Sequence, residues 1–228
     1  YDPEQLPPSK RAQCESVLEQ IRKDCFNAGV LLCNIDDRVF EGKKLQSWMR
    51  IPSLSDASAA FICKGDRVPV VGYRPQVVRS GNGLVAHLGT PEGNEGDAPQ
   101  LVDCIEAAIQ RTGCRANEVS VDDGYASAKG RGALLAAGID MVSISGSKGK
   151  KLTPPTDWES SEYQQSRNDR SCVESLMFSL KYTVDFGRVR RRGIDAVRCE
   201  LLEKVIAYNM ARIVVLRERR KKQLENAA

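Results

Sequence analysis

Apolar positions change their period along the chain, and each change marks an element. Over residues 9–32, Ala12, Val17, Ile21, Cys25 and Ala28 recur at roughly helical spacing, which predicts a helix. Residues 33–56 carry DDR, EGKK and RIPSLSD and lose that period, so they read as a polar connector ending near Pro52. From Asp66 the pattern shifts again. RVPVVGYRPQVV (67–78) and LVAHLG (84–89) flank SGNG (80–83), which predicts two strands joined by a glycine-containing turn. EGNEGDAP (92–99) is a loop, and a helix starting at Asp97 or Pro99 reaches Gln110 on an inner stripe of Leu101, Cys104, Ile105, Ala108 and Ile109.

Glu118–Val121 forms a short strand that stops at two adjacent carboxylates, Asp122 and Asp123, directly before Gly124 and Tyr125. Ser127–Ala137 predicts a small Ala/Leu helix with Gly138 as the residue that ends it. Asp140–Ile144 is another strand, followed by a basic loop, SGSKGKKLTPP (145–155). Residues 160–184 predict one helix burying Val173, Leu176, Met177, Leu180 and Val184. Residues 194–222 predict a last long helix, apolar on a wide face from Ile194 to Leu216. A hairpin followed by alternating helices and strands argues for an α/β fold, a mixed sheet flanked by helices. Ligands of such sheets gather at the carboxyl ends of strands, where Asp122 and Asp123 fall.

Composition narrows the chemistry. The 228 residues, 41% hydrophobic and 28% charged, suit a soluble globular protein. No apolar run approaches the roughly 18–20 residues a membrane span needs, and no signal-peptide pattern opens the chain. The chain begins at Tyr1, which leaves open an N-terminally truncated product. The eight cysteines form no C-x-x-C pair and His87 is the one histidine, which argues against zinc and against a Ser/His/Asp triad. His87 reads as a strand residue, the cysteines as small hydrophobes of a reducing, cytoplasmic setting. GNG (81–83) and GRG (130–132) are short of a dinucleotide-binding G-x-G-x-x-G. The net charge is only +4, yet it is bunched into KGKK (148–151), RVRRR (188–192) and RERRKK (217–222). Such runs suit a polyanion whose phosphates they neutralise.

In RNDRSCVESLMFSLK (167–181), Arg170, Glu174 and Lys181 stand in an R-x3-E-x6-K spacing. At 100° per residue Glu174 lies about 40° from Arg170 and about 20° from Lys181, along roughly 16 Å of helix. The three share a stripe beside the inner one, so Glu174 is expected to be partly enclosed. A surface Arg–Glu pair at i,i+4 accounts for two of them at a few tenths of a kcal/mol. A strand-end carboxylate with a helix carboxylate is also the arrangement that holds divalent ions for phosphoryl transfer, two metals activating the attacking oxygen and stabilising the leaving one. Carboxylates without a Cys/His cluster suit Mg²⁺.

These residues resemble the DDE transposases of bacterial insertion sequences. D-x-G-Y after a strand and R-x3-E-x6-K on a helix carry the resemblance. GYRPQVV (72–78), the N-x2-D-x3-L of Asn94, Asp97 and Leu101, and RRRGIDAVRCELLEKVIAYNMARI (190–213) extend it over roughly residues 53–216. The division it suggests is a helical segment and connector at 1–52, a catalytic domain at 53–216 and a basic tail at 217–228. The resemblance implies a ribonuclease-H-like fold, two Mg²⁺ ions (with Mn²⁺ able to substitute), and cleavage and joining of double-stranded DNA. It implies a homodimer that pairs two DNA ends, in the cytoplasm at the nucleoid. Asp122 matches the family's second acid and Glu174 its third, both as metal ligands. Arg170 and Lys181 match basic residues that grip phosphate or position Glu174. Lys148, Lys150 and Lys151 are backbone contacts by charge alone. Arg167 stands where the family carries a tyrosine, with Tyr163 one turn earlier as a stand-in. The first acid is Asp56, or lies upstream of Tyr1. In the second case the chain is an inactive remnant that only binds DNA, and a nuclease of the same fold is the further alternative.

Overall fold

The computed structural model describes residues 7–45, 50–63, 68–91 and 95–227. Asp66, Arg67 and Asn94 lie outside them, and with them one end of the expected strand and one member of the N-x2-D-x3-L spacing. Two compact units divide the chain: residues 1–73 with 92–94, and residues 74–91 with 95–228.

In the first unit, α1 runs over Pro8–Ile35 with proline in its first turn, where the missing N–H costs nothing. It continues through a wide helical turn at Asp36–Phe40, so the helix invades the expected connector. Val17, Leu18 and Ile21 are 58%, 50% and 51% exposed. A short hairpin follows, β1 (Ala60–Ile62) antiparallel to β2 (Val70–Gly72).

The second unit opens with β3 (Gln76–Arg79) and β4 (Val85–Gly89), an antiparallel pair joined across SGNG. The strand expected over 67–78 is therefore two strands, interrupted before Gln76. Pro75 explains the break, since it has no N–H to give to a ladder. His87 lies in β4 as anticipated, and burial together with the Arg111 charge lowers its pKa.

α2 (Asp97–Thr112) ends at Gly113 in the left-handed conformation. β5 (Glu118–Val121) then pairs in parallel with β6 (Met141–Ile144), with α3 (Ala128–Ala136) as the crossover. Alternation along β5 assigns its two faces. Val119 packs with Leu101 and Ile105 of α2, Leu134 of α3, Ile139 and Val142. Ser120 turns the other way and donates to the Ser166 carbonyl at 2.8 Å. Leu134 is fully buried and Val142 1% exposed, each burial contributing about 1.5–3 kcal/mol.

Ser166 belongs to α6 (Ser161–Asp169), which follows α4 (Ser147–Leu152) and α5 (Pro155–Glu159). α7 (Ser171–Val184) and α8 (Ile194–Ala227) complete the chain. The single helix expected over 160–184 is divided at Arg170, and the expected loop 145–155 contains α4. Among the described residues the strands form three separate pairs, so the α/β class holds, while one continuous mixed sheet is not formed.

Candidate functional site

Asp122 follows the last residue of β5, in extended conformation, and is exposed. Its Oδ1 accepts the Gly124 N–H at 2.8 Å, which starts a tight helical turn at Asp123–Tyr125. A side chain on Gly124 would bring its Cβ within 2.7 Å of Asp97 Oδ2 and 3.0 Å of Asp122 Oδ1. The glycine in D-x-G-Y is thus a packing requirement between two carboxylates.

Asp123 has different work. Its Oδ1 accepts the Lys148 N–H at 2.8 Å and the Gly149 N–H at 3.1 Å. It caps α4 from across the sheet, offering a carboxylate to otherwise orphaned N–H groups. Gly146 (φ +95°) passes so close that a Cβ there would lie 2.6 Å from Asp123 Cγ. A Cβ on Gly149 would sit 2.1 Å from the Ile144 carbonyl oxygen. These contacts are why KGKK, a loop by composition, is helical here. Lys148, Lys150 and Lys151 are exposed on α4.

Behind Asp122, residues of three of the sequence motifs, Arg74 with Gln76, Asp97 and Tyr125, join in a polar network whose bonds the spacing does not show. Asp97 accepts from Arg74 Nη2 at 2.5 Å and from Gln76 Nε2 at 2.9 Å. The Tyr125 hydroxyl donates to Gln76 Oε1. Burial, then the Asp97 and Asp122 carboxylates, raise the Tyr125 phenol above its usual range, so it stays protonated. The available signal was Gln76, a polar residue in an apolar strand, which is 3% exposed.

A cavity of about 790 Å³ opens beside these residues, and its wall includes Gln76, Asp122, Tyr125, Arg170 and Val173. Asp122 and Arg170 are thereby brought to one cavity. Glu174 reaches it through Arg170, whose Nη2 donates to Glu174 Oε1 at 2.8 Å. The expected partial enclosure of Glu174 is not found, since its side chain is 66% exposed against 29% for Arg170. The buried residues of α7 are Leu176 and Leu180, and Glu174 lies about 200° from Leu176 around the helix. Lys181 is exposed on the same helix.

Asp56 belongs to the first unit, in a helical turn at Leu54–Asp56, and accepts the Tyr73 hydroxyl at 2.6 Å. Tyr163 does not stand in at a site. It is 3% exposed, and its hydroxyl accepts the Ile144 N–H at 3.0 Å and pairs with Thr153 Oγ1 at 2.8 Å. Arg167 stacks its guanidinium 3.8 Å over the Trp158 ring, a cation–π contact within α5 and α6.

The basic loop RVRRR is held to α8. Glu200 Oε2 accepts the Arg190 and Arg191 N–H groups at 2.8 and 2.9 Å, while its Oε1 pairs with Lys204 at 2.8 Å. Burial works to raise the Glu200 carboxyl, but Lys204 and the two N–H donors outweigh it and hold it down at about 2.

The donor chemistry at Asp122 and Glu174 fits a hard divalent cation, with one exposed carboxylate after the strand end and another on α7. Among the described residues no three His, Cys, Asp or Glu side chains converge as a metal site. Mg²⁺ commonly takes only one or two carboxylates and fills its octahedron with water and phosphate oxygens. No described helix is long and apolar enough to cross a membrane. The family model for the transposase DDE domain matches residues 52–210. No curated protein and no solved structure matches the chain.

Proposed function

Because the chain belongs to the transposase DDE domain family, we propose that it carries out phosphoryl transfer on double-stranded DNA, cutting strands and joining them to a target, within a ribonuclease-H-like fold. The observation that carries this reading is the exposed Asp122 carboxylate at the end of β5, sharing a cavity with Arg170. Asp122 and Glu174 are the residues that would hold Mg²⁺. When bound, the metal activates an attacking oxygen and stabilises the leaving one.

The chain's own groups do the remaining work. Arg170 offers a planar guanidinium to a phosphate and sets the Glu174 carboxylate through the 2.8 Å bond. The Gly124 N–H holds Asp122 through Oδ1, and the residue is exposed. Asp97 and protonated Tyr125 keep the turn beneath it rigid. Lys148, Lys150 and Lys151 give α4 a cationic surface for the DNA backbone. Lys181 extends that role along α7. Pairing of two DNA ends by a homodimer belongs to the same reading.

The test is Mg²⁺-dependent nicking and end-joining of a labelled duplex, with Asp122→Ala and Glu174→Ala. Each variant is expected to lose activity while retaining the wild-type circular dichroism spectrum. Activity retained by either variant overturns the assignment. A second reading, DNA binding without cleavage, is favoured by the Arg170–Glu174 pairing and by the absence of a third converging acid among the described residues. It predicts salt-sensitive binding by the wild-type chain and no metal-dependent nicking.

A further inference from the structure

α1 carries a pattern that neither the fold nor the proposed reaction uses. Leu18, Cys25 and Leu32 recur at every seventh residue. Cys14, Ile21, Ala28 and Ile35 interleave with them at alternating steps of four and three. These are the a and d positions of a heptad repeat, the seam along which helices coil around one another. The repeat holds until the wide turn begins at Asp36, and Arg11 at the preceding a position closes it at the other end. The seam is open to solvent: Leu32 is 67% and Ile35 42% exposed, and both Cys14 and Cys25 are exposed. Asn27, the buried residue of α1, stands at c, outside the seam.

The charges beside the seam state what covers it. In two parallel copies in register, each g residue faces the e residue five positions on in the other copy. Lys10 then meets Glu15, twice per pair, while Val17 meets Arg22, Asp24 meets Gly29 and Leu31 meets Asp36. No like charges meet. Antiparallel copies instead bring e against e and g against g. The register that sets Leu18 opposite Ile35 faces Glu15 with Asp36. The register that sets Leu18 opposite Ala28 faces Arg22 with Arg22 and Asp24 with Asp24. Charges at e and g decide partner and orientation in coiled helices, and here they favour the chain's own copy, in parallel.

We propose that α1 is a self-association helix, through which copies of this chain coil in parallel and in register along the seam from Cys14 to Ile35. Leu at a with Ile at d admits four strands as well as two, so the assembly sediments as a dimer or a tetramer. A parallel coil releases its chains side by side after Ile35, whereas an antiparallel one would release them about 30 Å apart. The inference stands on α1 alone and does not require Asp122 to be catalytic, so its failure leaves the phosphoryl-transfer reading to the nicking assay.

The full chain is followed by sedimentation equilibrium from about 1 to 100 μM, an interval bracketing a micromolar Kd. Light and heavy-isotope chains are also mixed and gently oxidised, and disulfides between light and heavy peptides are mapped by mass spectrometry. Parallel pairing sets Cys25 opposite Cys25 and Cys14 opposite Cys14. Facing helices about 8–10 Å apart bring such pairs within disulfide reach. Cys33, at b, points away from the seam.

Wild type is expected to assemble and to give Cys25–Cys25 links between light and heavy chains. Leu18→Glu with Leu32→Glu alters two exposed side chains. That double variant should keep the wild-type circular dichroism, sediment at the mass of a single chain and lose the Cys25 link at least tenfold. Cys25→Leu, which fills an a position, should strengthen assembly, a readout that survives if the double variant unfolds. A monomeric wild type throughout that interval, a folded double variant that assembles as wild type does, or weakened assembly in Cys25→Leu would each overturn the proposal. So would links dominated by Cys14–Cys25 or Cys33–Cys33.

Discussion

The two neighbouring aspartates should separate cleanly into one that stabilises and one that acts. Asp123 accepts two backbone N–H groups at 2.8 and 3.1 Å at the start of α4. Removing an N-cap carboxylate costs about 0.5–2 kcal/mol, and loss of its charge at the helix N-terminus adds about 0.3–1. Asp123→Ala should therefore cost about 2 kcal/mol, which in a chain of this size lowers the melting temperature by about 4–8 °C. Asp123→Asn keeps an acceptor oxygen and should recover more than half of that. Asp122→Asn preserves the bond to Gly124 on an exposed side chain and should cost less than about 0.5 kcal/mol. The assay is thermal and urea unfolding of the three variants beside wild type, with hydrogen exchange at Lys148 and Gly149. Exchange there should accelerate in Asp123→Ala alone. An unchanged melting temperature in Asp123→Ala, or an equal loss in Asp122→Asn, refutes the division of roles.

Further outcomes test other parts of the molecule. Glu200 is held near 2 in the folded chain against an ordinary value near 4.5. Its folded pKa is depressed, so its contribution is complete above about pH 4.5 and disappears as pH falls toward 2. Glu200→Gln should flatten that part of a stability–pH curve, and an unchanged slope would rule the latch out. Replacing Lys148, Lys150 and Lys151 together with alanine should reduce the slope of log affinity for duplex DNA against log salt by about 2–3; an unaltered slope places the DNA elsewhere. Gly149→Ala should destabilise the protein by several °C in melting temperature, because its Cβ would meet the Ile144 carbonyl at 2.1 Å, and wild-type melting would contradict that packing. Tyr125→Phe leaves the buried Gln76 oxygen without its donor and should cost about 1–3 kcal/mol, read by urea unfolding.

Features set by neighbouring residues were legible in the sequence. β5, its terminal aspartates, the glycine turn and α3 all follow within twenty residues, and local periodicity places each correctly. α4 was not legible, because the group that caps it lies 25 residues earlier. Basic residues and glycines in a row give no hint of that partner. The Asp97–Gln76–Tyr125 network was missed for the same reason, since its bonds span 21 and 49 residues. The i,i+4 spacing anticipated a pair between Arg170 and Glu174, and their bond forms. It could not give the orientation of that stripe relative to the core, which depends on Leu176 and Leu180 turning inward.

The clasp of Glu200 and Lys204 on the loop after α7 bears on the entropy of ligand capture. Arg190 and Arg191 have their backbones tied by Glu200, Lys204 also donates to the Asp185 and Arg188 carbonyls, and Arg191 is anchored to Glu203. A freely fluctuating arginine loop would lose about 1–2 kcal/mol for each residue whose backbone is ordered on meeting a polyanion. Here most of the backbone ordering is completed when the protein folds. Arg188, Arg190 and Arg192 remain exposed on a preset curve, so a binding partner has less disorder to remove and the curvature itself becomes a determinant of which surfaces it fits.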